Sequence, residues 1–240
     1  MIPLKDDNPT KTVPVITYGL IAINCLVYFY QMTLPIRTEQ LFVYQFGLIP
    51  TELIHLTDMT PSIPFPVFLS PFSSMFVHGD LMHLIGNMLY LWIFGNNVED
   101  YFGHVKFLAF YLLSGLAAVA LFIVFQPYGE TPLVGASGAI AGILGAYLVL
   151  YPRARILTFI WILFFIRIIW LPAIFILGYW FVIQIIMAAS SVGGTGGGVA
   201  WFAHIGGFLF GWLVIRFRRK RARQKSNSPK DNSSYYDRWH

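Results

Sequence analysis

Long apolar runs alternate with short polar connections along the chain, and these runs determine the predicted architecture. A hydrocarbon core about 30 Å thick is crossed by about 20 mostly apolar residues, and on that measure the sequence predicts six membrane-spanning helices. The fold class is therefore an all-α, polytopic membrane protein built as a six-helix bundle. The expected spans are 13–30, 82–94 with an upstream extension over 76–81, 105–125, 135–150, 172–189 and 199–217.

One apolar segment leaves the number of spans open. Residues 156–189 are long enough for two spans, which would raise the total to seven, but Arg167 and Pro172 interrupt them. Proline is favoured in the first turn of a helix, so we expect the fifth span to begin at Pro172. We interpret 156–170 as an interfacial or re-entrant segment.

Lysine and arginine positions favour six spans over seven. In the six-span arrangement every lysine and arginine except Arg37 falls on one side. Because cytoplasmic segments carry the excess of basic residues, we expect both termini in the cytoplasm. The predicted location is the plasma (inner) membrane, as a multi-pass protein.

The sequence divides into a membrane domain and two polar tails. Residues 1–12 form the predicted N-terminal tail, 13–217 the membrane domain, and 218–240 a basic, disordered cytoplasmic tail. The first loop, 31–71, mixes prolines with apolar pairs, which suggests a structured element in the outer interface. The basic tail is better explained as a topology anchor than as an RNA-binding segment, so no nucleic-acid partner is expected.

Composition excludes an ordinary soluble enzyme. The chain is 57% hydrophobic and 11% charged, whereas soluble domains carry about 25% charged residues. The single cysteine, Cys25, cannot form an internal disulfide. The chain has no His-Glu-x-x-His motif, and its histidine spacing fits no standard metal site. We therefore predict no metal and no cofactor.

Polar side chains inside the predicted spans are the candidates for chemistry, since such residues are costly in lipid. Ser137 opens the short fourth span, and His204 lies one turn before Gly207 in the sixth. His83 and Asn87 share one face of the second span. Each has an ordinary explanation as well: a serine in a small-residue packing face, a histidine bound to a carbonyl, or a polar pair joining two helices.

Two features favour a serine–histidine pair over these ordinary structural explanations. The helix from Ser137 to the end of the fourth span is about 21 Å long at 1.5 Å per residue, shorter than the hydrocarbon core. Its start should therefore lie within the membrane beside a water-filled cavity. Small faces formed by Gly138 and Gly142, and by Gly207 and Gly211, should pack closely and bring His204 toward Ser137.

Together these residues resemble the rhomboid family of intramembrane serine proteases. The likeness rests on three patterns, which occur in the family's order and spans and cover about residues 70–214. They are His83-x-x-x-Asn87, Gly135-x-Ser137-Gly138 and Ala203-His204-x-x-Gly207-x-x-x-Gly211.

The resemblance implies a rhomboid-like bundle and a role for each matching residue. Ser137 would be the nucleophile, His204 the general base, and His83 and Asn87 oxyanion-hole donors beside the Ser137 N–H. His78 would lie at the cavity rim. Some members have an aromatic residue one turn after the serine, where this chain has Ala141. What orients His204 is therefore left open.

The expected function is that of an intramembrane serine endopeptidase acting through a Ser–His dyad. Its partners would be single-span or polytopic membrane-protein substrates and the lipid bilayer. The alternative is a catalytically inactive rhomboid-like protein that binds client transmembrane helices. Inactive members typically lose the serine or the histidine, and this chain retains both.

Overall fold

A computed structural model describes residues 1–58, 65–162, 165–191 and 200–227 of the chain. The described residues are mostly helical, with one small sheet. In chain order the elements are β1 (Ile2–Asp6), α1 (Val15–Thr33), α2 (Ile36–Phe46), α3 (Pro50–His55), a 3₁₀ turn (Val67–Leu69), α4 (Ser70–Ser73), α5 (Leu81–Tyr90), a π-helical turn (Leu91–Gly95), α6 (Asn96–Phe102), α7 (His104–Phe125), α8 (Ser137–Leu150), β2 (Arg155–Ile162), β3 (Phe165–Pro172), α9 (Ala173–Ser191) and α10 (Trp201–Asn227).

Each predicted span coincides with helix over most of its length. Among the described residues, α1, α7 and α9 are long and apolar enough to cross a membrane, and α8 is a shorter apolar helix. The protein is therefore a mostly helical membrane protein. Six membrane crossings remain a prediction.

The second span begins later than expected. Helix α5 starts at Leu81, so only the last residue of the expected extension over 76–81 is helical. Asp80 caps the helix there: its Oδ1 accepts a hydrogen bond from the backbone N–H of His83 at 2.8 Å. The helical path then continues through the π turn and α6 to Phe102. His83 thus lies in the first turn of the span.

The prediction of an all-α chain is wrong at the N-terminus and between α8 and α9. Strands β1, β2 and β3 form an antiparallel sheet in that order, with Arg155 opposite Pro172 and Ile2 opposite Phe159. Isoleucine, phenylalanine, tryptophan and threonine dominate β2 and β3, and these residue types favour strands. The segment 156–170 is therefore part of a β-hairpin, and the N-terminal tail contributes a strand.

The long connections also contain regular structure. Helices α2 and α3 lie within the first loop, 31–71. Helix α10 continues past Phe217 to Asn227, so residues 218–227 are helical where we expected disorder. Arginine, lysine, glutamine and alanine favour helix, and Arg219 binds the carbonyl oxygens of Val149 and Leu150 at the end of α8. The rest of the predicted tail, 228–240, lies outside the described residues.

Helix α8 occupies the centre of the bundle, and α10 packs more extensively on it than on any other element. Most of its residues are buried, as expected for a helix that is apolar on all sides. Gly207 of α10 lies against the carbonyl of Gly138, and Gly211 lies against that of Gly142. A Cβ at either α10 position would overlap α8 backbone, so only glycine permits this approach.

A buried carboxylate joins α1 to the end of α6. Glu99 is fully buried and accepts hydrogen bonds from the backbone N–H groups of Ile16 and Thr17, at 2.9 and 2.8 Å. The Thr17 hydroxyl also donates to it, and His104 Nδ1 lies 2.6 Å away. Because Pro14 has no side-chain acceptor, Glu99 supplies the cap that the first turn of α1 needs.

Replacing Gly207 with alanine should destabilise the protein by about 1–3 kcal/mol, the usual cost of overpacking. The added methyl must displace α8 backbone. Thermal unfolding in detergent measures the effect. Gly178→Ala is the matched control, because a Cβ there meets no described atom within 4 Å. Equal stability of the two variants would show that α10 does not depend on this backbone contact.

Candidate active site

Ser137 is the first residue of α8 and lines a cavity of about 1320 Å³. The first N–H groups of a helix have no intrahelical partner and carry the positive end of its dipole. Gly135, two residues earlier, has a φ of +114°, a conformation that glycine adopts without strain. The chain thus turns sharply just before Ser137 and presents its hydroxyl and nearby N–H groups to the cavity.

His204 of α10 forms a hydrogen-bond pair with this serine. Its Nε2 lies 2.8 Å from Ser137 Oγ, and the residue is buried, with 9% of its surface exposed. The backbone contacts of Gly207 and Gly211 with α8 set this separation, because they fix α10 against α8 one and two turns from His204. The sequence-predicted serine and histidine are therefore adjacent in space.

Gln184 of α9 contacts the other nitrogen of the imidazole. Its Oε1 lies 2.7 Å from His204 Nδ1, and its Nε2 donates to the carbonyl of Trp180 at 3.2 Å. An amide oxygen only accepts, so Nδ1 carries the proton and donates it. This arrangement leaves Nε2 unprotonated and free to accept the proton of the Ser137 hydroxyl.

Aromatic rings also surround the imidazole. The ring of Trp180 lies 5.7 Å from that of His204 at 38°, and that of Trp201 lies 6.2 Å away at 84°. These rings come from α9 and α10, whereas the resemblance pointed to the α8 position held by Ala141. Gln184 and the two tryptophans therefore orient His204.

His83 and Asn87 of α5 face the same cavity as Ser137. A Cβ at Gly135 would lie 2.6 Å from His83 Nε2 and 3.3 Å from Asn87 Nδ2. Both side chains thus approach the backbone just before the serine. Potential hydrogen-bond donors from α5 and from the start of α8 converge on one region of the cavity.

His78 is not at the cavity rim, where we expected it. It is fully buried, and its Nε2 lies 2.9 Å from Asn87 Nδ2. Gln31 of α1 holds the His78 backbone through its Nε2, which donates to the His78 carbonyl at 3.0 Å. His78 lies before the start of α5 and turns inward behind Asn87, so it supports that side chain and does not line the cavity.

The lining of the cavity is partly polar and partly apolar. Its polar residues include Ser137, His204, His83 and Asn87, and also Asp80, Gln126, Glu130 and Thr131. Its remaining lining comes mostly from apolar and loop residues on α5, α7, α8, α9 and the α7–α8 connection, including Met82, Tyr90, Phe122, Phe125, Tyr128, Leu133, Ile140, Leu144 and Trp180.

Sequence reasoning missed Gln184. The signal was present, because Gln184 is a polar side chain within the predicted fifth span, and that criterion selected the other candidates. No periodicity or spacing links it to His204, since the two residues are 20 positions apart in sequence and lie on different helices.

A family model for the rhomboid domain matches residues 68–221. The chain belongs to the rhomboid family. Rhomboid protein 1, mitochondrial, of Saccharomyces cerevisiae is 29% identical over 65% of this chain and 45% of its own length. Rhomboid protease GluP of Bacillus subtilis is 33% identical over 56% of this chain and 24% of its own. Rhomboid protease AarA of Providencia stuartii is 32% identical over 55% of this chain and 49% of its own length.

This rhomboid chain spans between a quarter and a half of the length of those relatives. The family match includes α5, α8, α9 and most of α10, and therefore every residue of the candidate site. It places a multi-pass membrane protein in a family that contains proteins named as proteases. Some relatives are mitochondrial, so the predicted plasma-membrane location does not follow from the family.

Substituting Gly135 with alanine should block the site. The new methyl would press on His83 and Asn87, and the φ of +114° would be strained. We expect strongly reduced labelling of Ser137 by a fluorophosphonate probe. Gly103→Ala separates the two effects, since Gly103 also has a positive φ, +74°, but a Cβ there meets no described atom within 4 Å. If both variants lost labelling equally, backbone strain alone, and not the contact with His83 and Asn87, would account for the reduced labelling of Gly135→Ala.

Proposed function

We propose that this chain is an intramembrane serine endopeptidase that hydrolyses peptide bonds in or near transmembrane segments of other proteins. The observation that carries the proposal is the 2.8 Å contact between Ser137 Oγ and His204 Nε2 inside a cavity of a rhomboid-family membrane protein. A serine hydroxyl becomes a competent nucleophile when an adjacent base removes its proton. The neutral imidazole of His204 is that base.

The reaction follows from the placement of these groups. His204 Nε2 takes the proton of Ser137 as Oγ attacks the peptide carbonyl carbon. The negative charge that develops on the carbonyl oxygen is stabilised by the Ser137 N–H and by the side chains of His83 and Asn87. His204 then protonates the leaving amine, and water, activated by the same base, hydrolyses the acyl-enzyme.

Gln184 acts as a positioning residue in this scheme. By accepting from Nδ1, it selects the tautomer in which Nε2 faces the serine. A glutamine has no charge with which to stabilise the imidazolium that forms, so its contribution is orientation. The catalytic dyad thereby becomes a hydrogen-bonded chain from Ser137 through His204 to Gln184.

The position of the site restricts the substrate. Helix α8 is about 21 Å long, shorter than a hydrocarbon core of about 30 Å. A helix of this length that ends at the cytoplasmic face begins, at Ser137, below the outer surface of the membrane. A peptide bond in an intact helix is shielded by its own hydrogen bonds, so a substrate must unwind locally to reach Oγ. We therefore propose cleavage near small or helix-breaking residues close to the outer membrane edge.

The proposed topology has both termini in the cytoplasm. Strand β1 pairs with β2 beyond the end of α8, and Arg219 of α10 binds the last carbonyls of α8. The two described ends of the chain therefore lie at the same end of the bundle, as six spans require. The excess of basic residues there supports a cytoplasmic assignment.

The alternative function is that of a client-binding protein without catalytic activity. The cavity would accommodate a helix segment in either case. What favours the protease is the complete chain of hydrogen bonds from Ser137 to Gln184, because binding alone does not require a selected imidazole tautomer.

Replacing Ser137 with alanine should abolish cleavage of a single-span substrate that carries glycine or proline near its outer end. The measurement compares purified wild type and variant in detergent, with mass spectrometry locating the cut. Ser190→Ala, which removes an exposed hydroxyl from α9, is the control and should cleave normally. Cleavage that survives in Ser137→Ala, or wild type that neither cleaves nor reacts with a fluorophosphonate, would contradict the proposal.

Gln184→Leu should lower the cleavage rate at least about ten-fold, since a positioned general base contributes about 10²–10⁴. Gln184→Glu should restore most of the rate. A carboxylate favours the protonated imidazole, so the acidic limb of the pH–rate profile should move to higher pH. In the wild type, activity should fall in acid because His204 must be neutral to act as base. An unchanged profile in Gln184→Glu would show that residue 184 acts only through packing.

A further inference from the structure

The β1–β2–β3 sheet has two faces in different surroundings. The register places Ile156 and Thr158 on the inward face, and both are fully buried. Asp6 shares this face and accepts a hydrogen bond from the Tyr147 hydroxyl at 2.7 Å. The inward face therefore packs on the bundle beside the end of α8, whereas Ile169, on the same face nearer the hairpin tip, is exposed.

The outward face is apolar and exposed. Trp161 and Ile166 are paired across the hairpin and are 67% and 59% exposed, and Ile168 is 57% exposed. Trp170 and Ile2 are also exposed on this face. An antiparallel sheet with one face on the core normally presents polar side chains on the other. An apolar outward face indicates an apolar partner.

Basic side chains border the apolar face. Lys5 Nζ lies 5.7 Å from the ring centroid of Trp170. Arg155 has a side chain 69% exposed, and its ion pair with Asp7 is long at 4.0 Å. Arg167 is also exposed near the far end of the hairpin, but its pairing with Ile160 places it on the other face of the sheet. Tryptophan beside lysine and arginine is typical of side chains at the membrane–water interface.

The sheet joins the membrane helices directly. β2 begins shortly after α8 ends, and β3 ends at Pro172, immediately before α9. The first turn of α9 exposes Ile174 and Phe175, and α9 is long and apolar enough to cross a membrane. The outward face of the sheet thus continues, along the chain, the apolar surface that α9 presents to lipid.

We propose that the outward face of this sheet lies in the headgroup–acyl boundary of the leaflet at the C-terminal end of α8, with Lys5 and Arg155 on acidic phospholipid headgroups. The occupant of the face is the bilayer itself, and the preferred lipid is anionic. Because β1 is both paired with β2 and tied to Tyr147, lipid binding by the sheet also holds the N-terminus against the base of α8. This inference does not rest on protease activity.

Spin-label accessibility tests the proposal on the full chain. In a Cys25→Ser background, a nitroxide is placed at Ile168→Cys or, as control, at the exposed Arg153→Cys before β2. Each protein is reconstituted at one copy per nanodisc of phosphatidylcholine with phosphatidylglycerol. We expect the label at 168 to collide more with oxygen than with a water-soluble nickel chelate, and the label at 153 to show the reverse. A label at 168 that collides more with the chelate would overturn the proposal.

A second experiment tests whether Lys5 and Arg155 bind anionic headgroups. Lys5→Glu combined with Arg155→Glu should raise nickel accessibility at 168 in nanodiscs that contain phosphatidylglycerol. Arg37→Glu, on the opposite side in the six-span arrangement, should leave it unchanged. Equal accessibility in the double variant and its parent would refute the assignment of anionic headgroups. Protection of 168 that appears only when two copies share a nanodisc would assign the face to a second copy of the chain and overturn the proposal.

Discussion

Backbone-to-backbone packing of α10 on α8 is the constraint on which the candidate site depends. A hydrogen bond between Ser137 and His204 tolerates a change in separation of only about half an ångström. The spacing of the two helices must therefore be set by contacts that do not yield. The contacts of Gly207 and Gly211 with the carbonyls of Gly138 and Gly142 are of this kind, because backbone meets backbone there. Flexible side chains between the helices would instead allow the helices to slide.

Within that frame, each of four helices supplies a different part of the site. In the proposed mechanism α8 provides the nucleophile, α10 the base, α9 the group that orients the base, and α5 the donors beside the sharp turn at Gly135. None of these parts is chemically unusual alone. A serine at the start of a helix becomes reactive only when an imidazole in the correct tautomer faces it within a water-accessible cavity.

Other polar residues, both buried and exposed, complete the hydrogen bonding of the bundle. Glu99 caps the first turn of α1, Arg219 binds the last carbonyls of α8, and Gln31 holds the backbone at His78. Lipid cannot hydrogen-bond free backbone groups, so these contacts are as necessary as apolar packing. Two histidines near the start of α5 differ in their surroundings despite their proximity: His78 is buried behind Asn87, whereas His83 lines the cavity.

The sequence by itself determined the positions of the long apolar helices, the pairing of two glycine faces and the identity of the serine and histidine candidates. Apolar run length and residue spacing along one helix are local properties, so a single chain reveals them. The role of Gln184, the inward turn of His78 and the sheet formed by β1 with the hairpin were decided only by the tertiary structure. Each depends on a contact between segments distant in sequence. The residue type of a β-branched or amide side chain in an apolar run does not reveal which distant residue it will contact.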